Sequence, residues 1–333
     1  MNGSRARYSL QPDAMQHYRS LQELSLERSR ITIGAFDGLH LGHQRILKEM
    51  TAGAHADGSP AVLVTFHPHP DVVLRGARQS FYLTTPDEKA ELAGRQGVDI
   101  VITHPFDKEV ASLKAADFLN RLNSRLNIEQ LWVGHDFVMG ANREAGAAAL
   151  SKLGAEMGFS LNVVSAVVLD GEVVSSSRIR ELLLNGEVGR AAKLLGRAYQ
   201  LSGLVEAGAA RGKTIGFPTA NLKIDSERVL PALGVYVCQA DMEGSTWQAV
   251  ANIGVRPTFE DGSVAPRVEA HLLEFDRDIY GQELRLEFLA RLRGEQRFNG
   301  VDELVAQINN DVAQAREYFA TKQNFVHPQR AEG

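Results

Sequence analysis

Residues 31–43 read Ile-Thr-Ile-Gly-Ala-Phe-Asp-Gly-Leu-His-Leu-Gly-His. The apolar run 31–36 is rich in β-branched residues and predicts a buried strand, and a helix-compatible stretch begins at 43. Glycines at 34, 38 and 42 let the intervening turn bring backbone close to a ligand, and the helix start beyond it offers unpaired amides. Outward from this point the pattern repeats. Strands are predicted at 61–66, 98–103, 129–134 and 161–168, and helices at 43–56, 86–96, 108–126 and 145–158. Alternating strand and helix implies a doubly wound parallel sheet, an α/β architecture.

After about residue 196 the rhythm changes. Short β-rich runs at 199–206, 234–240, 247–254, 267–275 and 283–292 are separated by Gly, Pro and Asp, as in an antiparallel β-barrel. Leu304, Ile308, Val312 and Ala315 then share one face of a C-terminal helix over 302–319, with Asp302 as its expected N-cap. Between the two patterns, 177–195 predicts two short helices interrupted at Gly186. The domain boundary is expected there, giving domains 15–187 and 188–333. Residues 1–14, which precede Met15, are treated as an extension outside the fold.

A chain of 333 residues favours two cores, and 44% hydrophobic with 23% charged residues excludes a disordered or fibrous chain. A net charge of −5 without a basic tail argues against nucleic acid as a partner. Cys238 is the one cysteine, so neither an intramolecular disulfide nor a cysteine-based zinc cluster can form. No secretory signal or membrane-length apolar run is read, and a cytoplasmic location is expected. A homo-oligomer is left open.

His40 and His43 lie three apart and can face one polyphosphate, donating to charge that develops at phosphorus. A solvated turn is the alternative reading, as is a metal site shared with His67 and His69. The hydroxyl-rich turn Val174-Ser175-Ser176-Ser177-Arg178-Ile179-Arg180 supplies oxygens, amides and guanidinium groups for phosphate, or else ordinary N-capping. In the second half, Gly208 to Thr214 imitates a P-loop but has Ala207 where its first Gly belongs, and Pro218 where its helix should run. Thr219 and Asn221 offer oxygen ligands suited to a hard cation such as Mg²⁺, and a turn with capping side chains is the alternative reading.

With Gly-Ala-Phe-Asp-Gly-Leu-His-Leu-Gly-His, Thr-Phe-His-Pro-His-Pro at 65–70, Gly134 to Gly140 and Ser-Ser-Ser-Arg-Ile-Arg in this order, the first half resembles the nucleotidylyltransferase superfamily. More narrowly, it resembles the N-terminal module of prokaryotic bifunctional riboflavin kinase/FAD synthetases. Gly216-Phe217-Pro218-Thr219-Ala220-Asn221-Leu222, Asn252 to Phe259, Glu269-Ala270-His271-Leu272-Leu273, Tyr280-Gly281 and Leu292-Arg293 resemble the riboflavin kinase module.

The resemblance covers roughly 15–320. It implies a nucleotidylyltransferase domain that adenylylates FMN, followed by a β-barrel kinase domain that phosphorylates riboflavin. Riboflavin, FMN, FAD and ATP are the implied partners and Mg²⁺ the implied cofactor. The implied catalytic residues are His40, His43, Ser176, Ser177 and Arg180, and Glu269 as the kinase base. ATP and its phosphates are expected on Gly34, Phe36, Asp37, Gly38, Gly42, Asp136 and Arg178, and on Gly212, Lys213, Gly216 and Pro218. Ala35 stands where the family often has Asn, Ser177 where it usually has Thr, and Val173 where some members carry Arg.

Overall fold

The computed structural model describes residues 15–76, 81–207, 215–257 and 264–323. The chain divides into two compact units between Ser176 and Ser177.

The first unit is built on six parallel strands: β1 (Gln16–Tyr18), β2 (Ser29–Ile33), β3 (Ala61–His67), β4 (Ile100–Pro105), β5 (Ile128–Gly134) and β6 (Ser160–Val164). Their order is β1-β4-β3-β2-β5-β6. From β2 the sheet grows one way through β3 and the other through β5, which creates a topological switch point at their C-terminal ends. Apolar side chains on both faces explain the continuous apolar runs. Ile31, Ile33, Val62, Val64 and Ile102 pack against helix Ala115–Leu126, while Leu63 and Val101 meet helices Leu41–Ala56 and Pro86–Gly94.

Two expectations in this unit are corrected, and the sequence reading missed other elements. The helix expected over 108–126 is two, Lys108–Ser112 and Ala115–Leu126. At the break Leu113 is extended, its carbonyl accepts from Ala141 N–H at 2.8 Å, and Ala115 N–H donates to Glu144 at 3.0 Å, so a neighbouring loop outcompetes helix continuation. The strand expected over 161–168 stops at Val164, and a hairpin of β7 (Val168–Leu169) and β8 (Glu172–Val173) follows. Its turn, Asp170-Gly171, holds φ of 52° and 83°, the left-handed pair that a tight hairpin requires. Strand β1 is polar and escaped the sequence reading; pairing with β4 makes it. A short helix at Pro70–Arg75 was likewise not expected.

The second unit opens with helices Ser176–Leu184, whose first residue belongs to the first unit, and Val188–Leu195. Gly186 between them has φ of 77°, and an added Cβ would come within 2.8 Å of Arg291. A closed antiparallel barrel follows: β9 (Tyr199–Glu206), β10 (Ala220–Lys223), β11 (Gly234–Met242), β12 (Ser245–Pro257), β13 (Val264–Leu272) and β14 (Glu283–Arg293). Strand β10 was not expected; it closes the barrel by pairing with both β9 and β13. Tyr199, Tyr236 and Phe288 fill the interior.

The C-terminal helix runs Val301–Gln323 and packs Val312, Ala315, Tyr318 and Phe319 on Val235, Val237 and Val250 of the outer barrel face. Asp302 lies in its first turn rather than at the N-cap, and Glu303 instead accepts from Asn299 N–H at 2.9 Å.

Candidate functional site

In the first unit, the segment after β2 is held in a conformation its sequence would not adopt alone. Phe36, Gly38 and Leu39 have φ of 48°, 79° and 41°, and two of these three carry a Cβ. Such backbone persists only where its surroundings over-determine it. Here they do: the buried Asp37 carboxylate accepts from Leu83 N–H at 3.1 Å and Thr84 N–H at 3.2 Å, and Gly38 N–H donates to the Thr84 hydroxyl at 3.1 Å. The Asp37 carbonyl accepts from the Ser176 hydroxyl at 2.8 Å.

The turn delivers His40 to the N-cap of helix Leu41–Ala56, where its Nδ1 accepts from His43 N–H at 3.4 Å. With Nδ1 accepting, the neutral ring carries its proton on Nε2 and donates from that edge. The two imidazoles stack at 3.6 Å between centroids, and Phe36 lies 4.7 Å from His43. Gly42 permits the stack, because an added Cβ would sit 3.1 Å from the His40 ring.

His43, Gly34, Phe36, Asp37, Asp136 and Ser176 all line one cavity of about 300 Å³ at the switch point. The exposed Asp136 stands just beyond β5, and Arg143 adds a positive side chain to the same wall. Arg143 escaped the sequence reading, although it lies only three residues beyond the quoted Gly134–Gly140 segment. Ser177, Arg178 and Arg180 lie on helix Ser176–Leu184, and Arg178 pairs with Glu181 at 2.8 Å. His69 caps the helix Pro70–Arg75 and His67 packs beside Tyr82, so both have local structural partners.

In the second unit, register does what sequence spacing could not show. Glu269 of β13 pairs with Asn221 of β10 on one side and Asn252 of β12 on the other, so three separated motifs form one lateral row. Because side chains alternate along a strand, this row shares the barrel's outer face, while Ala220 and Ala270 face inward.

A cavity of about 410 Å³ opens beside the inward residues, lined by Pro218, Thr219, Ala220, Ala270, Arg277 and Tyr280 among others. Glu269 does not line it; it lies one residue along β13 from Ala270. The Pro218 carbonyl accepts from His271 Nδ1 at 2.8 Å, and Phe217 packs edge-on to the same ring, which fixes the loop entering β10. Gly216 has φ of 87°. Phe275 and Arg277, the latter 5.4 Å over Trp247, were missed because the 275–280 loop has no periodic signal. Gly212, Lys213, Thr258 and Phe259 lie outside the described residues.

Thr219 and Asn221 provide oxygen donors only. Among the described residues no group of three or more His, Cys, Asp or Glu gathers into a metal site. This donor set suits a hard cation held mainly by nucleotide phosphates and water. Among the described residues, no helix is long and apolar enough to cross a membrane.

The riboflavin kinase family model matches residues 195–319 and the FAD synthetase family model matches residues 22–178. A bifunctional riboflavin kinase/FMN adenylyltransferase from Listeria monocytogenes is 36% identical over 291 residues, covering 87% of this chain and 92% of that protein. One from Pseudomonas fluorescens is 38% identical over 309 residues, covering 92% and 98%. A crystal structure from Streptococcus pneumoniae, described as a macrolide-efflux protein, superposes with a TM-score of 0.83 at 30% identity, covering 91% of this chain and 98% of that one.

Proposed function

Because this chain belongs to the bifunctional riboflavin kinase/FMN adenylyltransferase family, we propose a division of labour between domains 15–187 and 188–333, with adenylyl transfer at the histidine cavity and phosphoryl transfer at the barrel. The enzyme uses ATP twice: riboflavin and ATP give FMN and ADP, then FMN and ATP give FAD and pyrophosphate. The observation that carries the assignment is the stacked His40–His43 pair at a helix N-terminus on the switch point of a parallel sheet.

For adenylyl transfer, an FMN phosphate oxygen attacks the α-phosphorus of ATP and pyrophosphate departs. The nucleophile is already anionic, so no strong base is needed and the demand is for charge stabilisation. His40 and His43 donate to the phosphates, aided by Ser176, Ser177 and Arg180, with Arg178 adding positive charge. Gly34, Gly38 and Gly42 allow close approach, Phe36 braces His43, and Asp37 serves phosphate binding by fixing the turn. Asp136 contacts the nucleotide from the end of β5.

For phosphoryl transfer, riboflavin brings a neutral primary hydroxyl. Glu269 orients it and accepts its proton as the oxygen attacks the γ-phosphorus and ADP leaves. Gly212, Lys213, Gly216 and Pro218 hold ATP. Thr219 and Asn221 would hold Mg²⁺ against its phosphates, and the ion would there neutralise charge on the transferring group. Dependence on ATP favours a cytoplasmic setting, and a net charge of −5 without a basic tail disfavours nucleic acid as a partner.

The test is a time course with riboflavin and Mg-ATP, separating riboflavin, FMN and FAD. FMN should appear first and FAD after it. Absence of either product from folded protein would refute the assignment.

A further inference from the structure

Lys89 is a buried charged residue that neither reaction uses. It lies on the inner side of helix Pro86–Gly94, only 3% exposed, among Ala90 and Ala93. Its Nζ donates to the Ala35 carbonyl at 2.7 Å and to the Thr65 hydroxyl at 3.1 Å, and that hydroxyl donates to the same carbonyl at 2.9 Å. Ala35 is the residue immediately before the left-handed stretch Phe36–Leu39. A neutral donor could satisfy this carbonyl without the desolvation that a buried ammonium suffers. What the charge adds is attraction to Asp37, the carboxylate that anchors the other side of the turn.

We propose that Lys89 is a positioning residue for adenylyl transfer: its ammonium, through the Ala35 carbonyl and the charge of Asp37, holds the turn that aims His40 and His43. This rests on the assignment of adenylyl transfer to the first unit. Burial pulls Lys89 down to about 8, against the opposing pull of Asp37. His17 of β1 also senses it: its own value is lowered by burial, then by Arg19, with Lys89 the smallest contribution and Asp87 opposing. His17, lowered from its ordinary value, is neutral above pH 8, so loss of the Lys89 proton there removes the attraction to Asp37 that steadies the turn.

The experiment uses the full chain, because its riboflavin kinase activity is an internal control. FAD formation from supplied FMN and FMN formation from riboflavin are followed between roughly pH 6.5 and 9.5 in wild type, Lys89→Met and His43→Ala. In wild type, FAD formation should fall relative to FMN formation through one ionisation near pH 8. Lys89→Met should lower kcat for FAD formation about tenfold or more, move KM for FMN far less, leave FMN formation unchanged and lack the alkaline fall.

Full kcat in Lys89→Met, or the same alkaline fall in both proteins, overturns the proposal. If Lys89→Met does not fold, a pH-independent FAD-to-FMN ratio in wild type overturns it alone. Should His43→Ala keep full FAD formation, the underlying site assignment fails instead. Loss in His43→Ala with no loss in Lys89→Met removes only the role of Lys89.

Discussion

A spacing of three residues between His40 and His43 becomes a ring stack because the first is an N-cap and the second lies in the first helical turn. The His40 ring caps the helix, whereas His43 meets that cap through its backbone N–H, so removing the His43 side chain should act on transferred charge rather than on the fold. His43→Ala is expected to slow FAD formation by about a hundredfold or more, in line with roughly 2.7–4 kcal/mol for one such donor, while FMN formation is unchanged. Rates with supplied FMN and with riboflavin check this.

Lys89 gives a second prediction at the same scale. Unfolded lysine keeps its proton to about pH 10.4, whereas the folded one gives it up near 8, so between these values the unfolded chain binds more protons and folding is favoured as pH rises. Below that interval, burial of the ammonium costs on the order of 3 kcal/mol. The stability of wild type relative to Lys89→Met should thus increase between about pH 8 and 10, while adenylyl transfer falls. Urea midpoints across the interval decide it.

The histidine pair was legible in the sequence because glycines and a strand flank it. Lys89 and Arg143 were not, since a lone cation on a helix or loop reads as a solvated one until tertiary packing places it.

At the scale of elements, strands and helices with continuous apolar patterns stood out, and those made by their neighbours did not. β1 carries Gln16, His17 and Tyr18, and β10 only four residues; each exists because a longer strand supplies its hydrogen bonds. That is also why Thr219, Asn221 and Glu269 could be named from motifs while the Asn221–Glu269–Asn252 row could not: register is absent from sequence spacing.

The C-terminal helix is fastened by one buried ion pair. Asp311 accepts from Arg293 Nη2 at 2.8 Å and Nε at 3.0 Å, and from Gln307 at 2.8 Å. Asp311→Ala would strand a largely buried guanidinium. It should destabilise the second unit by about 3–5 kcal/mol, read as a lower urea midpoint.

On the scale of the whole molecule, two compact units divide at Ser176/Ser177, and helix Ser176–Leu184 gives nearly all its residues to the second. Within that unit Leu182 and Leu183 are buried and the Leu183 carbonyl accepts from Ala232 N–H at 2.9 Å. A fragment of residues 177–333 is expected to melt cooperatively and convert riboflavin to FMN without making FAD. A fragment of 188–333, lacking those anchors, should do the same chemistry at a lower melting temperature.

The most direct test of the division of labour pairs two full-length single variants, Glu269→Gln and His43→Ala, each confirmed to be folded. Given riboflavin and Mg-ATP, Glu269→Gln should leave riboflavin nearly untouched yet adenylylate supplied FMN at the wild-type rate, and His43→Ala should stop at FMN. Mixed in one tube, the two should restore FAD, because FMN made by one can be used by the other. If Glu269→Gln phosphorylates riboflavin normally, if His43→Ala makes FAD at the wild-type rate, or if the mixture of folded variants makes none, the two reactions are not divided between these residues.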